Sequence, residues 1–102
     1  MQYTKLEIKK TKVMRIQIQE IIEKIPKGKV FDAHSVIEYL IQNDSDIYLS
    51  SYNSGETTAQ YHSRISRTIS SFQKENLIKP IGESWSQNIR DNFSENKCWE
   101  KL

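Results

Sequence analysis

A chain of 102 residues with 36% hydrophobic and 27% charged residues has the material for one modest hydrophobic core and not for two. No apolar run approaches the roughly 18 residues that cross a bilayer, and the basic start is not followed by the apolar stretch of a leader, so the expected setting is cytoplasmic, without a membrane partner. The net charge of +2 and the single cysteine, Cys98, give no sign of a disulfide scaffold and fit a reducing compartment.

The charge is unevenly distributed. Lys5, Lys9, Lys10, Lys12 and Arg15 crowd the N-terminus, and from Val30 to Ser63 there is no Lys or Arg while Asp32, Glu38, Asp44, Asp46 and Glu56 all fall there. Basic residues return as Arg64, Arg67, Lys74 and Lys79. Such segregation can give one folded domain a basic face and an acidic one.

In chain order, residues 1–11 read as an N-terminal arm or added element, because Leu6 and Ile8 alternate with charged neighbours and the lysines after them look solvated. The domain proper spans 12–102. Met14, Ile18, Ile21, Ile22 and Ile25 recur at helical spacing until Pro26 and Gly28 stop the pattern, giving a first helix from Lys12 to about Ile25. Lys29 to Phe31 form a short extended stretch. Asp32 then caps a second helix to about Asn43, which buries Val36, Ile37, Leu40 and Ile41. Residues 44–56 read as a long loop anchored by Tyr48 and Tyr52, with room for a short strand or helical turn.

Thr57 and Gln60 have the spacing of a capping box, so a third helix starts there and runs to about Lys74. Tyr61, Ile65, Ile69 and Phe72 share one face at steps of four, four and three residues. If that face is buried, the opposite one displays Gln60, Ser63, Arg67, Ser70 and Lys74, with Arg64 on its flank. Leu77 to Ile81 contains Pro80 and suits a strand outside the centre of a sheet. Lys97 to Leu102 alternate as a second strand, with Cys98 and Trp99 on opposite sides. The two strands pair as a hairpin whose long tip is Ser84 to Asn96. Trp85 and Trp99 read as hairpin and core packing residues.

This order of helix, short strand, helix, helix, strand, loop, strand resembles the winged-helix superfamily of helix-turn-helix proteins. The connection between the second and third helices is longer than the usual turn. The resemblance implies an α+β fold with three helices packed on a small antiparallel β-hairpin, the wing. It also implies a third helix that enters the major groove of duplex DNA, and a regulatory role in which such proteins commonly act as homodimers.

Residue chemistry supports the same face. Arg67 and Arg64 can engage guanine in a bidentate way, Gln60 can do so with adenine, and Ser63 suits a phosphate or a base edge. Thr57 and Thr58 offer hydroxyls and open amides at a helix start. Lys74 and, on the wing, Arg90 complete the expected contacts, while Lys5, Lys9, Lys10 and Lys12 would follow the backbone as a flexible arm. The alternative is a winged-helix protein–protein interaction module without direct DNA binding, using the acidic half of the chain.

Catalysis has little support. With His34, His62 and Cys98 as the only imidazoles and thiol, no metal-ligand spacing or nucleophile motif is present, and Gly28, Gly55 and Gly82 form no phosphate loop. No cofactor or metal is expected, and the chain reads as a non-enzyme.

Overall fold

The computed structural model describes residues 4–89 and 92–102. Helix α1 is Lys5–Lys24, strand β1 Val30–Asp32, helix α2 Ala33–Asn43, helix α3 Ser45–Ser50 and helix α4 Thr58–Ser71. A 3-10 turn at Phe72–Glu75 leads into strand β2, Ile78–Gln87, and strand β3 is Phe93–Lys101. Among the described residues the fold is therefore α+β, four helices against a three-stranded antiparallel sheet of order β1-β3-β2.

Helix α1 begins seven residues before the expected start at Lys12. Its cause is a second capping box: the Thr4 hydroxyl accepts from the Glu7 amide at 3.1 Å and the Glu7 carboxylate accepts from the Thr4 amide at 3.3 Å. Lys5, Lys9, Lys10 and Lys12 consequently stand on a helix and not on an arm. At the other end, Gly28 takes a positive φ of 86°, a conformation that glycine adopts without strain. Its amide donates to the Lys101 carbonyl at 2.8 Å, and the Lys101 ammonium donates to the carbonyls of Ile22 and Ile25, each at 3.0 Å. A cation thus satisfies the open carbonyls of α1 and ties the last strand to it.

The expected cap of α2 is present, with the Ser35 amide donating to Asp32 Oδ1 at 2.8 Å. The long loop contains α3, which turns Tyr48 inward. The Tyr61 hydroxyl donates to the Tyr48 carbonyl at 2.6 Å, and the two rings meet edge to face at 5.2 Å. Helix α4 keeps the expected phase: Tyr61, Ile65, Ile69 and Phe72 are fully buried. They meet Met14, Ile18 and Ile22 of α1, Val36 and Leu40 of α2, and Ile78 and Trp99 of the sheet in one core.

Strand β3 is central. Trp99 lies between Phe31 of β1 and Pro80 of β2 in register, and β2 takes the edge, where the amide that Pro80 lacks is not needed. The register slips between Pro80 and Gly82, so Ile81 is an extra residue that bends β2. Beyond it the β2–β3 hairpin projects from the core. Trp99 is fully buried, as expected of a core packing residue, whereas Trp85 on the hairpin is 66% exposed and packs in no core. Among the described residues no helix is long and apolar enough to cross a membrane.

Candidate nucleic-acid interface

Helix α4 is held at its start, along its buried face and on one flank. At the start, the Gln60 amide donates to the Thr57 hydroxyl at 3.1 Å and the Thr57 amide donates to Gln60 Oε1 at 2.9 Å. Both expected contact residues therefore spend one oxygen on the cap. The Thr58 hydroxyl accepts from the Tyr52 hydroxyl at 3.3 Å. Gln60, Ser63 and Arg67 lie exposed along the outer face, and Lys74 is exposed on the 3-10 turn that follows. Arg90 lies outside the described residues.

Arg64 has a different setting. Its Nε and Nη2 donate to the two carboxylate oxygens of Glu56, each at 2.9 Å, and Nη2 also donates to the Ser51 carbonyl at 2.6 Å. The guanidinium lies 5.0 Å from the centre of the Tyr61 ring. With the Arg64 and Glu56 side chains only 16% and 12% exposed, this is a largely desolvated bidentate pair. Hydrogen bonding from Arg64 holds the Glu56 carboxyl below the usual range, against the opposing effect of burial. Arg64 thus fastens the α3–α4 connection. These bonds turn Nε and Nη2 back into the fold, a structural role that the sequence-based expectation of a DNA contact does not include.

Two clefts flank α4. On one side α1 supplies Lys12 and Arg15, and α4 supplies Arg64, Arg67, Thr68 and Ser71. Arg15 is engaged: it pairs with Glu75 at 3.0 Å, donates to the Ser71 hydroxyl and lies over the Phe72 ring at 4.1 Å. Lys10, one turn earlier, donates to the Tyr52 carbonyl at 2.9 Å. Among the described residues Lys12 and Arg67 are in no ion pair, and they place two cations on facing walls of this cleft.

On the other side the hairpin is braced against the start of α2. His34 Nδ1 lies 2.7 Å from the Ser86 hydroxyl, the His34 amide donates to Asn96 Oδ1 at 3.1 Å, and Ser84 donates to Asp32 Oδ2 at 3.0 Å. Partial burial pushes the Asp32 carboxyl up, but hydrogen bonds from Ser35, Ser86 and Ser84 outweigh it and the net shift is downward. The cleft between this brace and α4 contains Glu83, Glu95 and Lys97. By alternation Trp85 shares the Glu83 and Glu95 side of the hairpin, as does Phe93. This wall is more acidic than the α1 wall.

No family model, curated protein or solved structure matches the chain. The site therefore rests on its own chemistry. Among the described residues no three His, Cys, Asp or Glu side chains gather as metal ligands. His62 Nε2 lies 2.6 Å from the Tyr48 hydroxyl, which orients the ring toward α3. On sequence Lys12 belongs to a flexible arm along the DNA backbone; the helix that starts at Thr4 and Glu7 is what sets it across the cleft from Arg67. The capping-box spacing of Thr4 and Glu7 was the available signal.

Proposed function

We propose that this chain is a winged-helix protein that binds duplex DNA, with α4 in the major groove and the β2–β3 hairpin as the wing. The element order and the β1-β3-β2 sheet support that fold assignment. The observation that carries the function is the outer face of α4. This rigidly capped helix contains no Asp or Glu. It displays Gln60, Ser63 and Arg67, and borders a cleft to which α1 adds Lys12.

A ridge of hydrogen-bonding side chains without negative charge can approach base edges, while flanking cations neutralise phosphates. In this reading Arg67 and Gln60 read bases, Lys12 meets the backbone, and Arg64 keeps α4 in place. Phosphates approach from the α1 side, since Glu83 and Glu95 repel them on the hairpin side.

Fluorescence polarisation with labelled duplex at several salt concentrations tests this. Wild-type affinity should fall as salt rises, with a log-log slope of about −0.9 for each phosphate neutralised. Arg67→Ala should weaken binding by about 1–3 kcal/mol if it reads a base, and Lys12→Ala should lower the salt slope by about one contact. Salt-insensitive binding, or binding indifferent to both changes, would defeat the reading.

One observation favours a protein-binding module instead. Trp85 and Phe93 are 66% and 56% exposed on the hairpin side that carries Glu83 and Glu95, and exposed aromatics ringed by charge are typical anchors of protein interfaces. That module would lose its partner on Trp85→Ala and keep it on Arg67→Ala. The acidic half of the chain is a poorer candidate surface, because Asp32, Asp44 and Glu56 are spent on Ser35, Gln17 and Arg64 within the fold.

A further inference from the structure

The side of α1 that faces away from the core carries a seam of its own. Leu6, Lys9, Val13, Ile16, Glu20 and Glu23 recur at alternating steps of three and four residues, and all six are exposed. Met14, Ile18, Ile21 and Ile22 occupy the opposite side of the helix and are buried. Leu6, Val13 and Ile16 are 60%, 40% and 60% exposed. Single exposed apolar residues need no explanation, but here they fall on one heptad seam of a helix about 30 Å long. The seam is also polar end to end. Lys9, with Lys5 and Lys12 beside it, lies in the N-terminal half, and Glu20 and Glu23 lie in the C-terminal half.

We propose that this seam binds a second copy of the chain, with the two α1 helices packed antiparallel. Charge decides the direction. A parallel pair would set Lys9 against Lys9 and Glu20 against Glu20, whereas an antiparallel pair sets unlike charges together and opposes the two helix dipoles. Centring the pair between Met14 and Arg15 places Val13 opposite Ile16 of the second copy, Lys9 opposite Glu20 and Leu6 opposite the stem of Glu23. Two-fold symmetry repeats each contact, as an isologous interface requires. The one like-charged match in this register, Lys5 with Lys24, is relieved because the Lys24 ammonium is turned onto its own Tyr39, 3.3 Å from the hydroxyl and 5.5 Å from the ring centre. The flanks of α1 already pack within the chain, through Arg15 to Ser71 and Glu75 on one side and Lys10 and Gln17 to Tyr52 and Asp44 on the other. The seam is the face that remains. This inference does not depend on DNA binding.

A helix pair of this length lies at the small end of stable interfaces, so the association should be visible at micromolar to sub-millimolar concentration. Sedimentation equilibrium of the full chain, without DNA, over roughly 5–500 µM should show a monomer–dimer equilibrium. Ile16→Glu, at an exposed site and with its helical circular dichroism retained, should leave monomer throughout. Lys9→Glu and Glu20→Lys should each weaken the dimer roughly tenfold through repulsion, and the double variant K9E/E20K should return to within about threefold of wild type. A wild-type chain that is monomeric across the range overturns the proposal. So does a dimer that survives Ile16→Glu, which would lie on another face, or a double variant as weak as the singles, which would exclude this register.

Discussion

Replacing Arg64 with alanine should lower the stability of the folded chain by about 3 kcal/mol, although the residue looks on sequence like a DNA contact. The change strips both Arg64 hydrogen bonds from the Glu56 carboxylate, which is 12% exposed and keeps only the Asn53 amide at 3.1 Å, and removes the donor to the Ser51 carbonyl. A carboxylate left largely desolvated without its countercharge makes such changes costly. Arg64→Lys should recover little, since a single ammonium cannot reproduce a bidentate fork. Arg67→Ala, at an exposed site, should stay within about 0.5 kcal/mol of wild type. Urea denaturation of the three variants checks this through the midpoint at constant slope. Equal stabilities for Arg64→Ala and Arg67→Ala would refute the assignment of Arg64 to the fold.

The same pair gives a pH signature with a defined sign. Glu56 has a carboxyl pKa below its ordinary value in the folded chain because of Arg64. Its contribution is therefore fully present above the ordinary carboxylate pKa of the unfolded chain, and is lost as pH falls through the depressed folded value. Wild-type stability should decline on the acid side of that range. In Glu56→Gln the decline should be shallower, leaving Asp32 as the other carboxylate held low among the described residues. For DNA-binding work the consequence is practical: binding lost in an Arg64 variant reports a loosened α4, whereas binding lost in an Arg67 variant that remains folded reports contact.

Trp99→Ala should be the most damaging single change in the sheet, costing about 3–5 kcal/mol. Trp99 is fully buried in the central strand and packs its ring 5.7 Å from that of Phe31. Its loss opens a cavity where α1, α2, α4 and the sheet converge, and β3 cannot slide to fill it because its register is held on both edges. Against a total stability of order 5–15 kcal/mol for a domain of this size, that is a large fraction, and thermal unfolding should show a clearly lowered midpoint. Trp85→Ala on the same hairpin should leave the midpoint almost unchanged. A comparable loss from the two changes would mean that the hairpin is packed more deeply than its 66% exposed Trp85 implies.

Elements with a local cause were legible in the sequence. Asp32 announces α2 and Thr57 with Gln60 announces α4, because a cap and its amide are three residues apart and owe nothing to the rest of the fold. The buried face of α4 followed from spacing alone, since residues three and four apart share a side of any helix. The same local signal stands at Thr4 and Glu7, but the alternation of Leu6 and Ile8 with charged neighbours competes with it, so the first turns of α1 resemble an arm or added element on sequence. Helix α3 is only six residues long, too short for periodicity to separate it from a polar loop.

What only the tertiary structure decided are matters of which distant groups meet. Arg64 and Arg67 are the same residue type on one helix, three positions apart. Both border the cleft that holds Lys12, but one finds Glu56 and Ser51 delivered by the connection from α3, and the other is exposed. Trp85 and Trp99 differ likewise only in whether the core lies behind their part of the hairpin. Sequence by itself determined the helices that carry their own caps and the face of α4 that is buried, because these are set by interactions within a turn or two, and the alternating pattern of the last strand made the α+β class legible. Pairing across 8 to 60 residues, as in Arg64 with Glu56 and Arg15 with Glu75, depends on how the elements pack. That packing decided which of the basic side chains support the fold and which face outward.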